Sequence, residues 1–221
     1  MPKLELRNIE KTFQGNKSLD SEDIFKISNI NLHINDGEFI SILGPSGCGK
    51  TTLLKIIAGL IDINQGIILE DGKDISKIPV EKRNYAMVAQ RPLLFPNMTL
   101  IENICFGLKM KKINKNERNE VALAMITKLK LQGLERRYPS QLSGGQCQRV
   151  AIARALVTKP KVLLMDEPFS ALNEELRVEM KELVKEFHRI NNLTTIFVTH
   201  DKEEASFLSD RIITLKNGSI E

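Results

Sequence analysis

The sequence predicts an α/β fold whose central sheet is mostly parallel, and three observations carry that reading. Phe39–Leu43 and residues 162–165 are short apolar runs of the kind buried on both faces of a sheet. Each is followed by a polar or glycine-rich turn and then by apolar residues at helical spacing. Thr194–Thr199 is a third run, β-branched, ending in His200 and Asp201. Buried strands alternating with helices need crossover connections, and crossovers pair strands in parallel.

The elements follow in order. Residues up to about Gly37 read as an antiparallel sheet with strands at 4–9 and 25–34. The run 39–43 enters the loop Gly44-Pro45-Ser46-Gly47-Cys48-Gly49, and a packed helix starts near Lys50 and continues to Leu60. Ile67, Ile68 and Leu69 form a strand entering the turn Glu70-Asp71-Gly72, and residues 85–89 form another that delivers Gln90. From Thr99 to Leu134 the pattern is helical and lysine-rich, with Val121, Ala124, Met125, Lys128 and Leu129 on one face. A further helix follows Ser143-Gly144-Gly145-Gln146, where Val150, Ile152, Ala153, Leu156 and Val157 keep helical spacing. Residues 174–190 are amphipathic, with Leu176, Met180, Leu183, Val184 and Phe187 aligned. A short helix at 201–208, a strand at 211–215 and the hairpin turn Lys216-Asn217-Gly218 end the chain.

A length of 221 residues suffices for a substantial core. Apolar content of 42% and charged content of 27% are those of a globular protein. The net charge of +4 gives weak support at best for nucleic-acid or anionic membrane contact, and no nucleic acid is expected. Three unpatterned cysteines indicate a reducing compartment without a disulfide framework. No apolar run reaches the ~18 residues of a membrane span, and the N-terminus lacks the apolar core of a secretory signal. The sequence contains no repeats or low-complexity tracts.

Gly44 to Thr51 fits the phosphate-loop pattern G-x-x-x-x-G-K-[ST] between a strand and a helix, the context in which the motif has meaning. Gly44, Gly47 and Gly49 let backbone N–H groups turn toward phosphate, and the helix start adds free donors and positive dipole. Lys50 is expected to reach the β- and γ-phosphates, the Thr51 hydroxyl to ligate Mg²⁺, and Thr52 to help hold the α-phosphate. Cys48 lies inside this loop, where a thiol is expected to be shielded by nucleotide from alkylation. Asp166 and Glu167 sit at the C-terminal end of the 162–165 run, the edge where ligands bind in open α/β sheets. Asp166 is expected at the metal. Glu167 is expected to face the attacking water as its base. Ser143 is a plausible N-cap with exposed amides at Gly144 and Gly145, a second anion cradle. Taken alone it is as readily an ordinary capped helix. Two cradles in one chain make sense if the second serves a partner's nucleotide.

This ordered set, Gly44 to Thr51, Leu142-Ser143-Gly144-Gly145-Gln146 and Asp166-Glu167, resembles the nucleotide-binding subunit of an ATP-binding cassette transporter along essentially the whole chain. The resemblance implies a P-loop NTPase core with an N-terminal antiparallel β-subdomain and an inserted helical subdomain. It gives one domain over 1–221, with 1–90 and 158–221 as core and β-subdomain and 91–157 as the helical part bearing the signature loop. It implies two cassettes paired head to tail, with ATP and Mg²⁺ between one chain's phosphate loop and the other's signature loop. Gly44, Pro45, Ser46, Gly47, Cys48, Gly49, Lys50, Thr51 and Thr52 would cradle one nucleotide, and Ser143, Gly145 and Gln146 would contact the partner's. Gln90 corresponds to a glutamine that contacts Mg²⁺ and the water, and His200 to a histidine at the γ-phosphate. Phe13 corresponds to the aromatic that stacks on adenine, with Phe25 as a competitor. Asn173 departs from the family's usual Asp, which points to altered coupling between the two sites.

The segment Arg91-Pro92-Leu93-Leu94-Phe95-Pro96 is apolar and divides between core packing and a docking surface. Residues 94–103 and 166–172 resemble bacterial importers of iron, sulfate, molybdate, polyamines or sugars. That branch implies separate transmembrane permease chains, a substrate-binding protein, and a place on the cytoplasmic face of the membrane. Many members carry a C-terminal regulatory domain, absent from or removed in this sequence. The alternatives are an exporter cassette or a soluble ATPase acting on DNA or ribosomes. Against the latter, the roughly 50 residues from Gln90 to Leu142 leave no room for a long coiled coil at about 1.5 Å per residue.

Overall fold

The computed structural model describes residues 2–13 and 26–221. In chain order the first half contains β1 (Leu4–Thr12), β2 (Lys26–Ile34), β3 (Phe39–Leu43), α1 (Lys50–Ala58), β4 (Gln65–Glu70), β5 (Lys73–Asp74), β6 (Tyr85–Val88) and α2 (Leu100–Met110). The second half contains α3 (Lys115–Lys128), α4 (Gly144–Leu156), β7 (Val162–Asp166), α5 (Glu174–Asn191), β8 (Thr194–Thr199), α6 (Lys202–Leu208), β9 (Arg211–Lys216) and β10 (Ser219–Ile220). The fold is α/β, with an antiparallel sheet in the order β2-β1-β4-β5 and a mostly parallel one in the order β10-β9-β3-β8-β7-β6.

Register in the parallel sheet aligns the C-terminal strand ends. Leu43 of β3 lies opposite Thr199 of β8, Asp166 of β7 opposite Val198, and Val88 of β6 opposite Met165. The loops that leave these strands at Gly44, Glu167, Ala89 and His200 therefore emerge along one edge. β7 and β8 are buried at every position, as strands covered on both faces must be.

Two apolar clusters flank the sheet. One unites α2, α3 and α4 with the sheet face bearing Phe39 and Phe197 and with Phe169 from the turn after β7. Phe39 and Phe197 meet edge-on at 6.3 Å between ring centroids. The other packs α1 between the parallel sheet and the antiparallel sheet through Leu53, Ile57, Leu6 and Ile30. Truncating a buried phenylalanine such as Phe197 would cost about 3–5 kcal/mol.

Several sequence expectations shift. α1 stops at Ala58, not Leu60, because Gly59 adopts φ 79° and its N–H donates back to Ile56. Arg83 closes that helix end by donating to the carbonyls of Ile57, Ile75 and Ile78 at 2.9, 2.7 and 2.9 Å. The lysine-rich stretch divides into two helices. Thr99 and Glu102 form a reciprocal capping box at the start of α2, and Asn114 caps α3. The buried face of α3 is Ala122, Met125 and Ile126, followed by Leu129, whereas Val121, Ala124 and Lys128 face solvent. Two apolar stripes were available in that segment, and packing against α2 and α4 selects one. β5 was not anticipated, since a two-residue pairing leaves no periodic signal.

Candidate functional site

A cleft of about 400 Å³ opens at the aligned strand ends, walled by Ser46, Gly47, Lys50, Thr51, Gln90 and Glu167, with Gly49, Thr52 and His200 completing the lining. The glycine loop has the backbone the sequence calls for. Gly47 and Gly49 take φ 80° and 109°. Gly44 is required for a different reason, because a Cβ there would sit 2.2 Å from the carbonyl oxygen of Leu215. Lys50 is buried, and its ammonium donates to the carbonyls of Gly44 and Pro45 at 2.8 and 2.9 Å. That pins the lysine across its own loop with its charge at the cleft. Pro45 also borders a second hollow with Lys26 and Asn217 on the far side of the loop.

The Thr51 hydroxyl donates to both carboxylate oxygens of Asp166, at 3.0 and 2.8 Å. Burial pushes the Asp166 carboxyl above the usual carboxylate range. The Thr51 hydrogen bond opposes that shift, and the neighbouring Glu167 charge adds to it. A hydroxyl and a carboxylate oxygen in contact make a hard-oxygen pair that suits Mg²⁺. Among the described residues no cluster of three or more His, Cys, Asp or Glu is present.

Glu167 turns away from Asp166 through a left-handed backbone, φ 42°. Its N–H donates to the Val198 carbonyl at 2.9 Å, and its own carbonyl accepts from the Ser170 hydroxyl at 3.0 Å. The side chain is thereby aimed at the cleft, where Gln90 donates to its Oε2 at 3.1 Å and the His200 Nδ1 lies 3.4 Å from the same oxygen. His200 is 65% exposed at its side chain, so the ring is free to reach a ligand.

The structure leaves other expected residues outside this cleft. Ser143 caps α4 and exchanges hydrogen bonds with Gln146, accepting from its N–H at 3.2 Å and donating its own N–H to Gln146 Oε1 at 2.8 Å. Ser143 and Gly144 are exposed, Gly145 and Gln146 half-buried, and none of them lines the cleft. Phe13 is half-buried at the end of β1, with the Lys11 ammonium 5.6 Å from its ring centroid. The segment after Phe13, residues 14–25 including Phe25, lies outside the described residues. The Cys48 expectation needs correction: the residue is 5% exposed, belongs to the apolar cluster that contains Leu53 and Ile42, and borders the hollow with Lys26 and Asn217 rather than the cleft. The apolar segment after Gln90 divides by residue. Leu93 is 69% exposed, while Phe95 stacks at 4.5 Å on Phe106 beneath the Arg154 guanidinium.

Sequence reading missed Gln148, Thr199, Arg177 and Glu204. Gln148 is fully buried and donates to the Ala89 carbonyl at 3.3 Å. Glu204 accepts from the Thr199 hydroxyl at 2.8 Å, and burial pushes its carboxyl upward. A charged or amide side chain on the apolar face of a helix is the signal that could have found Gln148, Arg177 and Glu204; Thr199, the last residue of a β-branched strand, carries no such signal.

Residues 27–170 match the profile of the family described as ABC transporter. The chain belongs to that family. ABC transporter relatives include the spermidine/putrescine import ATP-binding protein PotA of Haemophilus influenzae, 48% identical over 219 residues, covering 99% of this chain and 57% of the relative. PotA of Mannheimia succiniciproducens is 49% identical over 220 residues, covering 100% of this chain and 57% of its own length. The chain thus spans little more than half the length of these relatives. Among solved structures, the ATP-binding cassette MJ0796 in a dimeric post-hydrolysis state with ADP and Pi superposes with a TM-score of 0.87 at 35% identity, covering 99% of this chain and 96% of that one. A second dimeric MJ0796 structure gives a TM-score of 0.89 at 35% identity, with the same coverage.

Proposed function

We propose that this chain binds and hydrolyses ATP and uses the cycle to drive import through separate permease chains. The observation that carries the reading is the convergence of Lys50 and Thr51 with Gln90, Glu167 and His200 on one cleft. The glycine loop and Lys50 hold the phosphates, and Thr52 assists at the α-phosphate. Thr51, Asp166 and Gln90 would hold Mg²⁺, which supplies neutralisation of phosphate charge when bound. Glu167 accepts the proton of the attacking water, and His200, beside it, contacts the γ-phosphate.

The Ser143 loop lies outside its own cleft, which supports its service to a second copy. Each copy offers Ser143, Gly145 and Gln146 to the partner's nucleotide, and the dimeric state of both MJ0796 structures supports this arrangement. Phe13 is proposed to stack on adenine. The import names of the relatives support a polyamine as cargo, with a substrate-binding protein as further partner and a position on the cytoplasmic face of the membrane. Among the described residues no helix is long and apolar enough to cross a membrane. Exposed Leu93 and a groove of about 330 Å³ between α2 and α3, lined by Met98, Ile101 and Phe106, support docking of those chains on the helical subdomain, proposed as 91–157.

Glu167→Gln keeps the shape and removes the base. With saturating Mg-ATP it is expected to form a stable dimer, and Ser46→Cys of one copy is expected to crosslink with Ser143→Cys of the other. A variant that stays monomeric or never crosslinks would overturn the shared-site reading. One that turns over at the wild-type rate would overturn Glu167 as base.

A further inference from the structure

The contacts that hold Glu167 and His200 continue behind the cleft into a charge pair on α5 and α6. Glu204 is 6% exposed. Its Oε2 accepts from the Thr199 hydroxyl at 2.8 Å, and the Thr199 Oγ1 accepts from the Asp201 N–H at 3.1 Å, so both neighbours of His200 are tied to this carboxylate. Its Oε1 faces the Nε of Arg177 at 4.0 Å. Arg177 in turn donates from Nη2 to the Leu172 carbonyl at 3.3 Å. The Leu172 N–H donates to Phe169, and the Ser170 hydroxyl donates to Glu167. The circuit runs from Glu167 through residues 169–172, Arg177, Glu204 and Thr199 to His200, whose ring stands 3.4 Å from Glu167.

A cavity of about 130 Å³ lies inside this circuit, bounded by Glu167, Ser170, Arg177, Thr199, His200 and Glu204. The Arg177 Nε is buried and makes no hydrogen bond. At 4.0 Å the pair stands just beyond direct bonding, so a displacement of about 1 Å between α5 and α6 makes or breaks it. Buried ion pairs are poor stabilisers, because desolvation offsets their attraction. Geometry is the stronger account of this one.

We propose that Arg177 and Glu204 are positioning residues for the base and the histidine. Together they set the spacing between the segment that carries Glu167 and the segment that carries His200. The proposal rests on the hydrolytic reading above.

The test compares steady-state ATPase of the wild type, Glu204→Gln, Arg177→Met and the double variant, with nucleotide affinity measured alongside in a Glu167→Gln background. A misplacement near 1 Å costs up to about 100-fold in rate. kcat is therefore expected to fall between about 10- and 100-fold while KM and ATP affinity stay within about twofold. The double variant is expected to be no slower than the slower single one, as members of one network behave. The imidazole NMR signal of His200, one of three histidines, should shift in each variant. Arg177→Lys should recover part of the rate. If Glu204→Gln does not fold, the partly exposed Arg177 carries the test alone. Unchanged kcat, or kcat and ATP affinity lost in parallel, overturns the proposal. A wild type without ATPase activity overturns the hydrolytic reading instead.

Discussion

Gln148, buried on α4, donates its side-chain amide to the carbonyl of Ala89 at 3.3 Å, so the helix that begins at the Ser143 loop holds the backbone one residue before Gln90. Its Oε1 is buried without a partner. Gln148→Leu removes the bond and the orphaned oxygen together, so the net change in stability should stay within about 1–2 kcal/mol. The expected loss is in communication. The Hill coefficient for ATP in an ATPase titration should fall, and an unchanged coefficient would count against the link.

Cys48 should resist alkylation whether or not nucleotide is bound, because the residue is buried in the apolar cluster with Leu53 and Ile42 and does not line the cleft. Mass spectrometry after iodoacetamide treatment is expected to show slow labelling in both conditions and rapid labelling in guanidinium. Strong protection by ATP alone would mean the thiol faces the phosphates.

Asn173 accepts the Leu176 N–H at 3.2 Å as the N-cap of α5. Asn173→Asp keeps that acceptor and adds a charge favoured at a helix start, so stability should rise by about 0.3–1 kcal/mol. Nucleotide affinity should hold while cooperativity between the paired sites changes. Identical rates and identical cooperativity would refute a coupling role.

His188 packs edge-on against Phe39 at 5.0 Å, and its Nδ1 lies 3.0 Å from the Thr195 hydroxyl. Burial holds its pKa below the ordinary value of 6.5, with Asp210 opposing the shift. Below pH 6.5 the unfolded chain takes up a proton that the folded chain refuses, so stability is lost as pH falls from 6.5 toward the folded pKa. Urea midpoints measured from pH 7.5 to 5.5 should decline more steeply for the wild type than for His188→Gln. Parallel profiles would show that another group is responsible.

The catalytic edge was legible because its residues follow apolar runs. Phe39–Leu43, Val162–Asp166 and Thr194–Thr199 are buried strands whose ends deliver Gly44, Glu167 and His200. The Ser143 cap was legible too, whereas the Thr99–Glu102 box, at the same spacing, was passed over inside a stretch read as one helical pattern. The face of α3 was not, because a weakly amphipathic helix offers more than one stripe and only its neighbours decide. Cys48 misled because membership of a loop does not say which way a side chain points. Gln148, Arg177 and Glu204 stayed hidden for a related reason. Their partners, Ala89, Leu172 and Thr199, come from other elements of the fold.

The left-handed backbone at Glu167, φ 42°, carries an evolutionary implication. A non-glycine residue held there forfeits about 1–3 kcal/mol. Glu167→Gly should therefore melt at a higher temperature than the natural protein while losing all turnover. Robustness alone would favour glycine at this position, and the proposed role of Glu167 as base is what a strained side chain there would supply in exchange.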